Sequence, residues 1–110
     1  PEFLRHARAG GHPVLVFAAM DDKDVTGMLA PLPSDWPLVL TRTGSPHSAD
    51  PADLRARLSA TRHGPCVTAG DTPSALQRAA ALATPDGLII VLGSHRLVGE
   101  SRTVLSLPPE

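Results

Sequence analysis

A chain of 110 residues with a formal net charge of −1 fits one ordinary domain and carries no surplus charge to draw nucleic acid or an anionic membrane. No apolar run approaches the roughly 18 residues that a bilayer span needs, and no charged segment followed by an apolar one opens the chain, so neither membrane insertion nor secretion is expected. Cys66 is the only cysteine, which excludes an internal disulfide and fits a reducing compartment; with one tryptophan and no tyrosine, the core must be aliphatic.

Four short apolar runs alternate with four helix-like stretches. The first run is Val14-Leu15-Val16-Phe17, followed by a helix near residues 24–30. The second, Leu38-Val39-Leu40, leads through a turn-rich segment into a helix over 53–61, where Leu54 and Leu58 share one face. Asp50-Pro51 is its start signal, with Asp as N-cap and Pro at the first helical position. The third run, Cys66-Val67-Thr68, is followed by Asp71-Thr72-Pro73, which opens a helix to about Ala83. Leu76, Ala79, Ala80 and Ala83 give that helix a narrow apolar face. Asp86-Gly87 reads as a turn. The fourth run, Leu88-Ile89-Ile90-Val91-Leu92, is apolar throughout and therefore predicts a central strand buried on both faces. Gly93-Ser94 ends it, and a last helix covers 97–105. The segments around Pro1-Glu2 and at residues 107–110 read as loose termini.

Strands alternating with helices over short connections predict right-handed βαβ units. The expected fold is α/β and Rossmann-like, a mainly parallel sheet with helices on both faces. In such sheets ligands bind beyond the C-terminal ends of the strands. That rule selects three loops, at residues 18–24, 41–48 and 93–96.

Each loop has a functional and a structural reading. Asp21-Asp22-Lys23-Asp24 is either a charged loop facing a ligand or a solvated helix start, where acidic groups are favourable. Ser94 either helps bind a carboxylate or phosphate at a helix N-terminus or is only a cap. Gly93 through Gly99-Glu100-Ser101 faintly echoes a phosphate loop. The glycine spacing is one residue too long, however, and Glu100 stands where Lys is required, so that reading is rejected. His6, His12, His47, His63 and His95 are scattered, with no i, i+4 pair, so no metal site is expected. His47 and His95 fall in the ligand-side loops. No Gly-x-Ser-x-Gly elbow supports a hydrolase.

These segments together resemble a known family. Residues 14–25, VLVFAAMDDKDV, are similar to the segment VFGAM-x-DKD of the C-terminal domain of folylpolyglutamate synthase/dihydrofolate synthase, in the Mur ligase superfamily. Leu40-Thr41-Arg42 through Ser45-Pro46-His47-Ser48-Ala49 resembles the T…SPRA loop of that family. Residues 92–100, LGSHRLVGE, resemble its GSLYLVGE segment. The three matches keep family order and spacing and span about residues 12–105. The resemblance implies a cytoplasmic ATP-dependent ligase of folate and one-carbon metabolism. Such enzymes phosphorylate a folate carboxylate with ATP, and the amine of glutamate then displaces the phosphate. It implies a single domain over residues 1–110, the C-terminal part of a larger enzyme and lacking its extreme N-terminal segment, because the D-x-AHNP segment expected upstream of the first strand does not appear. The implied partners are the N-terminal ATPase domain of the same enzyme and the folate and glutamate substrates. ATP and Mg2+ would be bound mainly by that other domain. No residue here is expected to be catalytic, and this chain alone is expected to be inactive. Ser94 and His47 are the implied glutamate-binding residues, and Asp22, Lys23 and Asp24 the implied nucleotide or interdomain residues. Ala18 stands where the family usually has Gly, and His47 where Arg would clamp a carboxylate with two prongs. The alternative is a stand-alone Rossmann-type module that binds a small anion or regulates.

Overall fold

The computed structural model describes residues 12–83 and 87–105. The four apolar runs form the four strands: β1 (Val14–Phe17), β2 (Leu38–Leu40), β3 (Cys66–Thr68) and β4 (Ile89–Leu92). The helices are α1 (Val25–Leu29), α2 (Pro51–Leu58), α3 (Thr72–Leu82) and α4 (His95–Val104). All four strands run parallel in the order β3-β2-β1-β4. The ladder pairs Leu15 with Leu38 and with Ile90, and Leu38 with Cys66.

Alternation along the strands divides the core into two layers, because successive side chains point to opposite faces. Leu15, Phe17, Leu38 and Leu40 pack with Val25 and Leu29 of α1 and with Leu54 and Leu58 of α2. Val14, Val16 and Val39 pack with Ala75, Leu76 and Ala79 of α3 and Leu97 of α4. Helices therefore cover both faces, as the sequence predicts. Phe17, Leu15, Leu38, Leu40, Leu54 and Leu58 are wholly or almost wholly buried, each a gain of about 1.5–3 kcal/mol against an extended chain. Among the described residues no helix is long and apolar enough to cross a membrane.

Each helix starts on a side-chain cap. Asp24 accepts from the Gly27 amide at 3.1 Å, Asp50 from Ala52 at 2.8 Å, Asp71 from Ser74 at 2.9 Å, and Ser94 from Arg96 at 3.1 Å and Leu97 at 3.3 Å. Such a cap contributes about 1 kcal/mol. Asp50-Pro51 and Asp71-Thr72-Pro73 open α2 and α3 as their sequences predict, with Pro in the first turn. The hydrogen bonds from Ser74 hold the Asp71 carboxyl below its ordinary value.

Two expectations need correction. Among the described residues the fourth apolar run is not central: β4 pairs only with β1 and stands at an edge of the sheet, where Leu88 and Ile89 are each 38% exposed. β1 and β2 hold the interior positions and are completely buried. An apolar run of this length is compatible with either place, since the order of strands is set by the connections and not by the run itself. The buried side of α3 is also rotated, with Thr72, Ala75, Leu76 and Ala79 facing the sheet while Ala80 faces water. The termini read as loose fall outside the described residues, as does Asp86 of the expected turn.

The N-terminal side of the sheet is held by Arg62. Its guanidinium, almost fully buried, donates to the carbonyls of Leu32 at 3.1 Å and Pro33 at 2.7 Å, fixing the turn that enters β2. Burial lowers its pKa, opposed by the charge of Asp35. Burial likewise pushes the half-buried Cys66 thiol up, with the charges of Arg55 and Arg62 pulling the other way. Burial thus works against thiolate formation at Cys66.

Candidate functional site

The chain runs from β1 outward to β2 and β3, then returns to place β4 on the other side of β1. The connections leaving β1 and β4 therefore diverge, and a crevice opens between them at the C-terminal edge. This is the topological switch point, where open parallel sheets bind ligands. A cavity of about 520 Å3 occupies it, lined by Met20, Lys23 and Met28 from the β1 side and Gly93, Ser94 and His95 from the β4 side. A second depression of about 460 Å3 shares Met20 and Lys23 and continues to Asp21, Asp22 and His47.

Gly93 makes the crevice geometrically possible. It has φ +109°, and a Cβ at this position would lie 2.2 Å from the carbonyl oxygen of Ala18 and 2.9 Å from the Phe17 ring. Only glycine lets the ends of β1 and β4 approach this closely. Ala18, by contrast, is fully buried and packs in the core layer of Val14, Val16 and Val39.

Ser94 caps α4 through its hydroxyl oxygen, which accepts from the amides of Arg96 and Leu97. Acceptance leaves the O–H itself to donate. Capping and ligand binding are therefore compatible at this residue. The ten-residue helix behind it adds the positive end of its dipole.

Lys23 is exposed and, among the described residues, makes no ion pair with its acidic neighbours. Its carbonyl accepts from Arg57 at 3.4 Å, which ties the loop to α2. Asp24 is spent on capping α1, whereas Asp21 and Asp22 are exposed on the cavity rim.

The β1 and β2 loops are stitched together by their backbones. The Ala49 amide donates to Ala19 at 2.8 Å and the Asp21 amide to His47 at 3.0 Å, with Met20 and Ser48 bridging antiparallel. The hydroxyl groups of the second loop brace its own backbone. Thr41 donates to the Ala69 carbonyl, Ser48 accepts from the Thr43 amide, Thr43 from the Ser45 amide, and Ser45 from the His47 amide. Thr41, Thr43 and Ser48 are also buried, and of this loop the exposed His47 is the residue that lines the depression. The structure therefore gathers Ser94, Lys23, Asp22 and His47 at one edge and turns Asp24 to a structural task.

Glu100, set aside in the sequence because it cannot serve a phosphate loop, is engaged at the same edge. Its carboxylate accepts from Thr72 Oγ1 at 2.6 Å, from the Gly44 amide at 3.0 Å and from Arg96 Nε at 3.1 Å. Burial opposes its ionisation, but these three bonds and the Arg96 charge together hold it below the usual glutamate value. Only the Arg96–Glu100 spacing of four within a helix is a signal in the sequence. A third hollow, of about 400 Å3, lies between the ends of β2 and β3 beside Arg42 and Arg78; Arg42 is 3.9 Å from Asp50. Among the described residues no three His, Cys, Asp or Glu side chains cluster.

The family described as Mur ligase, glutamate ligase domain, matches residues 2–95. The chain belongs to this Mur ligase family. A probable bifunctional folylpolyglutamate synthase/dihydropteroate synthase from Haloferax volcanii is 37% identical over 90 residues, covering 81% of this chain and 11% of that protein. Folylpolyglutamate synthase of Mycobacterium tuberculosis complexed with ADP has a TM-score of 0.80 at 27% identity, over 99% of this chain and 27% of that one. A structure of the same synthase complexed with ADP and AMPPCP gives 0.80 at 29% identity with the same coverage. The chain therefore spans about a tenth of the curated relative and about a quarter of the solved ones. The likeness to the C-terminal domain of folylpolyglutamate synthases, read from three sequence segments, is borne out, as is the α/β fold with its parallel sheet.

Proposed function

We propose that this chain is the C-terminal domain of an ATP-dependent ligase that adds glutamate to folates, and that the crevice between β1 and β4 receives the incoming glutamate. The observation that carries the reading is the convergence of Ser94, Lys23, Asp21 and Asp22 on the two adjoining hollows at the switch point. Glutamate needs a donor for a carboxylate and acidic partners for its ammonium group. The Ser94 O–H and the positive end of α4 supply the first, and Asp21 and Asp22 supply the second. Lys23, uncommitted to any carboxylate among the described residues, suits a phosphate or the acyl phosphate that the reaction class requires. His47 offers a single ring donor to a carboxylate where arginine would offer a fork. Asp24 acts indirectly, by capping α1 and fixing the shape of the Lys23 loop.

The reaction class joins the folate carboxyl carbon to the glutamate nitrogen and releases phosphate. ATP supplies the phosphoryl group that makes the carboxylate reactive. This domain positions glutamate and, closing on an N-terminal ATPase domain, keeps water from the acyl phosphate. Magnesium, carried with the nucleotide, would be held mainly by that other domain, and no step assigned to this chain depends on it. The domain alone is accordingly expected to lack ligase activity.

The test is ATP turnover by the complete protein that carries this chain, with a folate present and L-glutamate added or withheld. Turnover that requires both substrates supports the proposal. Turnover independent of glutamate, or glutamate binding without any turnover, overturns it, the latter in favour of a small-anion binding module.

A further inference from the structure

We infer that Glu100 is a positioning residue, a clasp that fastens the loop after β2 and the start of α3 to the helix carrying Ser94, and so fixes the relative places of the Ser94 and His47 sides of the site. The inference rests on the proposed function for its consequence in catalysis but not for its geometry.

The three groups that meet Glu100 come from three different connections at the C-terminal edge. Gly44 lies in the loop leaving β2, Thr72 begins the helix leaving β3, and Arg96 lies in the first turn of the helix leaving β4. Oε2 accepts from the Gly44 amide and from Arg96 Nε, while Oε1 accepts from Thr72 Oγ1. Both carboxylate oxygens are thus engaged, and the acceptors are held by a side chain only 29% exposed. Thr72 is itself buried. The approach at Gly44 is close: a Cβ there would lie 2.9 Å from Arg96 Nη2 and 3.4 Å from Glu100 Oε2.

The consequence follows from what each tethered element carries. Gly44 is three residues from His47, in a loop whose hydroxyls are already turned inward. Arg96 is two residues from Ser94, whose oxygen accepts from the Arg96 amide. A shift at the clasp is passed to both sides of the site through short, hydrogen-bonded links. Glutamine can keep most of this arrangement, because its carbonyl oxygen can accept from Gly44 and Arg96 while its NH2 donates to the Thr72 hydroxyl. Alanine can keep none of it.

The experiment compares Glu100→Ala and Glu100→Gln in the complete protein, reading hydrogen exchange at the Gly44 amide and the KM values for glutamate and ATP. In Glu100→Ala the Gly44 amide should exchange at least about tenfold faster, while amides of β1 keep their protection. The glutamate KM should rise about tenfold with the ATP KM within about twofold, because the nucleotide is bound mainly by the other domain. Glu100→Gln should stay within about threefold of wild type in both readings. Should Glu100→Ala not fold, Thr72→Val takes its place and should speed Gly44 exchange in the same direction. Unchanged exchange at Gly44, or a glutamine variant as impaired as the alanine one, overturns the clasp. Wild-type protein without glutamate-dependent turnover would sink the proposed function instead, and the Gly44 exchange would still decide the clasp.

Discussion

Replacing Gly93 by alanine tests whether the crevice is built on the close approach of β1 and β4. The backbone there has φ +109°, a conformation that costs a non-glycine residue about 1–3 kcal/mol. The new Cβ would also stand 2.2 Å from the Ala18 carbonyl oxygen and 2.9 Å from the Phe17 ring. Both neighbours are fully buried and have nowhere to go, which adds an overpacking cost of about 1–3 kcal/mol. Alanine restrains the unfolded chain and returns about 0.4–1 kcal/mol. The net loss should be about 2–4 kcal/mol, a large part of the roughly 5–15 kcal/mol that holds a domain. Urea unfolding reads it as a midpoint lower by at least about 1 M at unchanged slope. Gly70→Ala is the control: nothing lies within 4 Å of its Cβ position and its φ is not positive. That variant should stay within about 0.5 kcal/mol of wild type. A Gly93→Ala chain within about 1 kcal/mol of wild type would refute the reasoning, since the strand ends would then have room to part.

Three other perturbations address the site and its supports. Ser94→Asp keeps an N-cap acceptor, so stability should hold within about 1 kcal/mol; it also puts a carboxylate where the substrate carboxylate is proposed to sit, and glutamate use in the complete protein should fall more than about tenfold. Kinetics in which only the ATP KM rises would assign this turn to the nucleotide. Lys23→Ala should lower turnover at least about tenfold, or about 1.4 kcal/mol of transition-state stabilisation, with the melting temperature unchanged because its ammonium pairs with no carboxylate among the described residues. Wild-type turnover and substrate constants in that variant would make the loop only a helix start. The carboxyl of Glu100 is held below its ordinary value of 4.5, so the folded chain binds fewer protons than the unfolded one. Its contribution to stability is complete above that value and is lost as pH falls through the lower folded value. Urea midpoints at neutral pH and near pH 3.5 should therefore fall less in Glu100→Gln than in wild type; equal losses would show that other carboxylates alone set the acid limb.

Local chemistry was legible in the sequence wherever a residue acts on its near neighbours. Asp50-Pro51 and Asp71-Thr72-Pro73 announce α2 and α3, and the structure shows the caps at 2.8 Å and 2.9 Å. The alternation of strands and helices already puts the loops of Ser94, Lys23 and His47 at one edge, where they line adjoining hollows. What depends on the order of strands was not legible. The run from Leu88 to Leu92 has the composition of a buried strand, and only the return of the chain past β1 shows that it pairs there, at an edge among the described strands. The clasp was hidden for a related reason: Gly44 and Thr72 lie 56 and 28 residues from Glu100 in sequence. Asp24 shows a different limit. Its charge pattern suits both a ligand loop and a helix start, and the hydrogen bond from Gly27 assigns it to the second.

The central claim is that the β1–β4 crevice takes the amino-acid substrate. Hydrogen exchange on the complete protein, saturated with a folate and a non-hydrolysable ATP analogue, tests it directly when L-glutamate is added. Slower exchange in the segments at residues 20–25 and 92–98, with residues 66–78 unaffected, is the predicted result. Protection confined to residues 66–78, beside Arg42 and Arg78, would contradict it and move the substrate to the other end of the sheet.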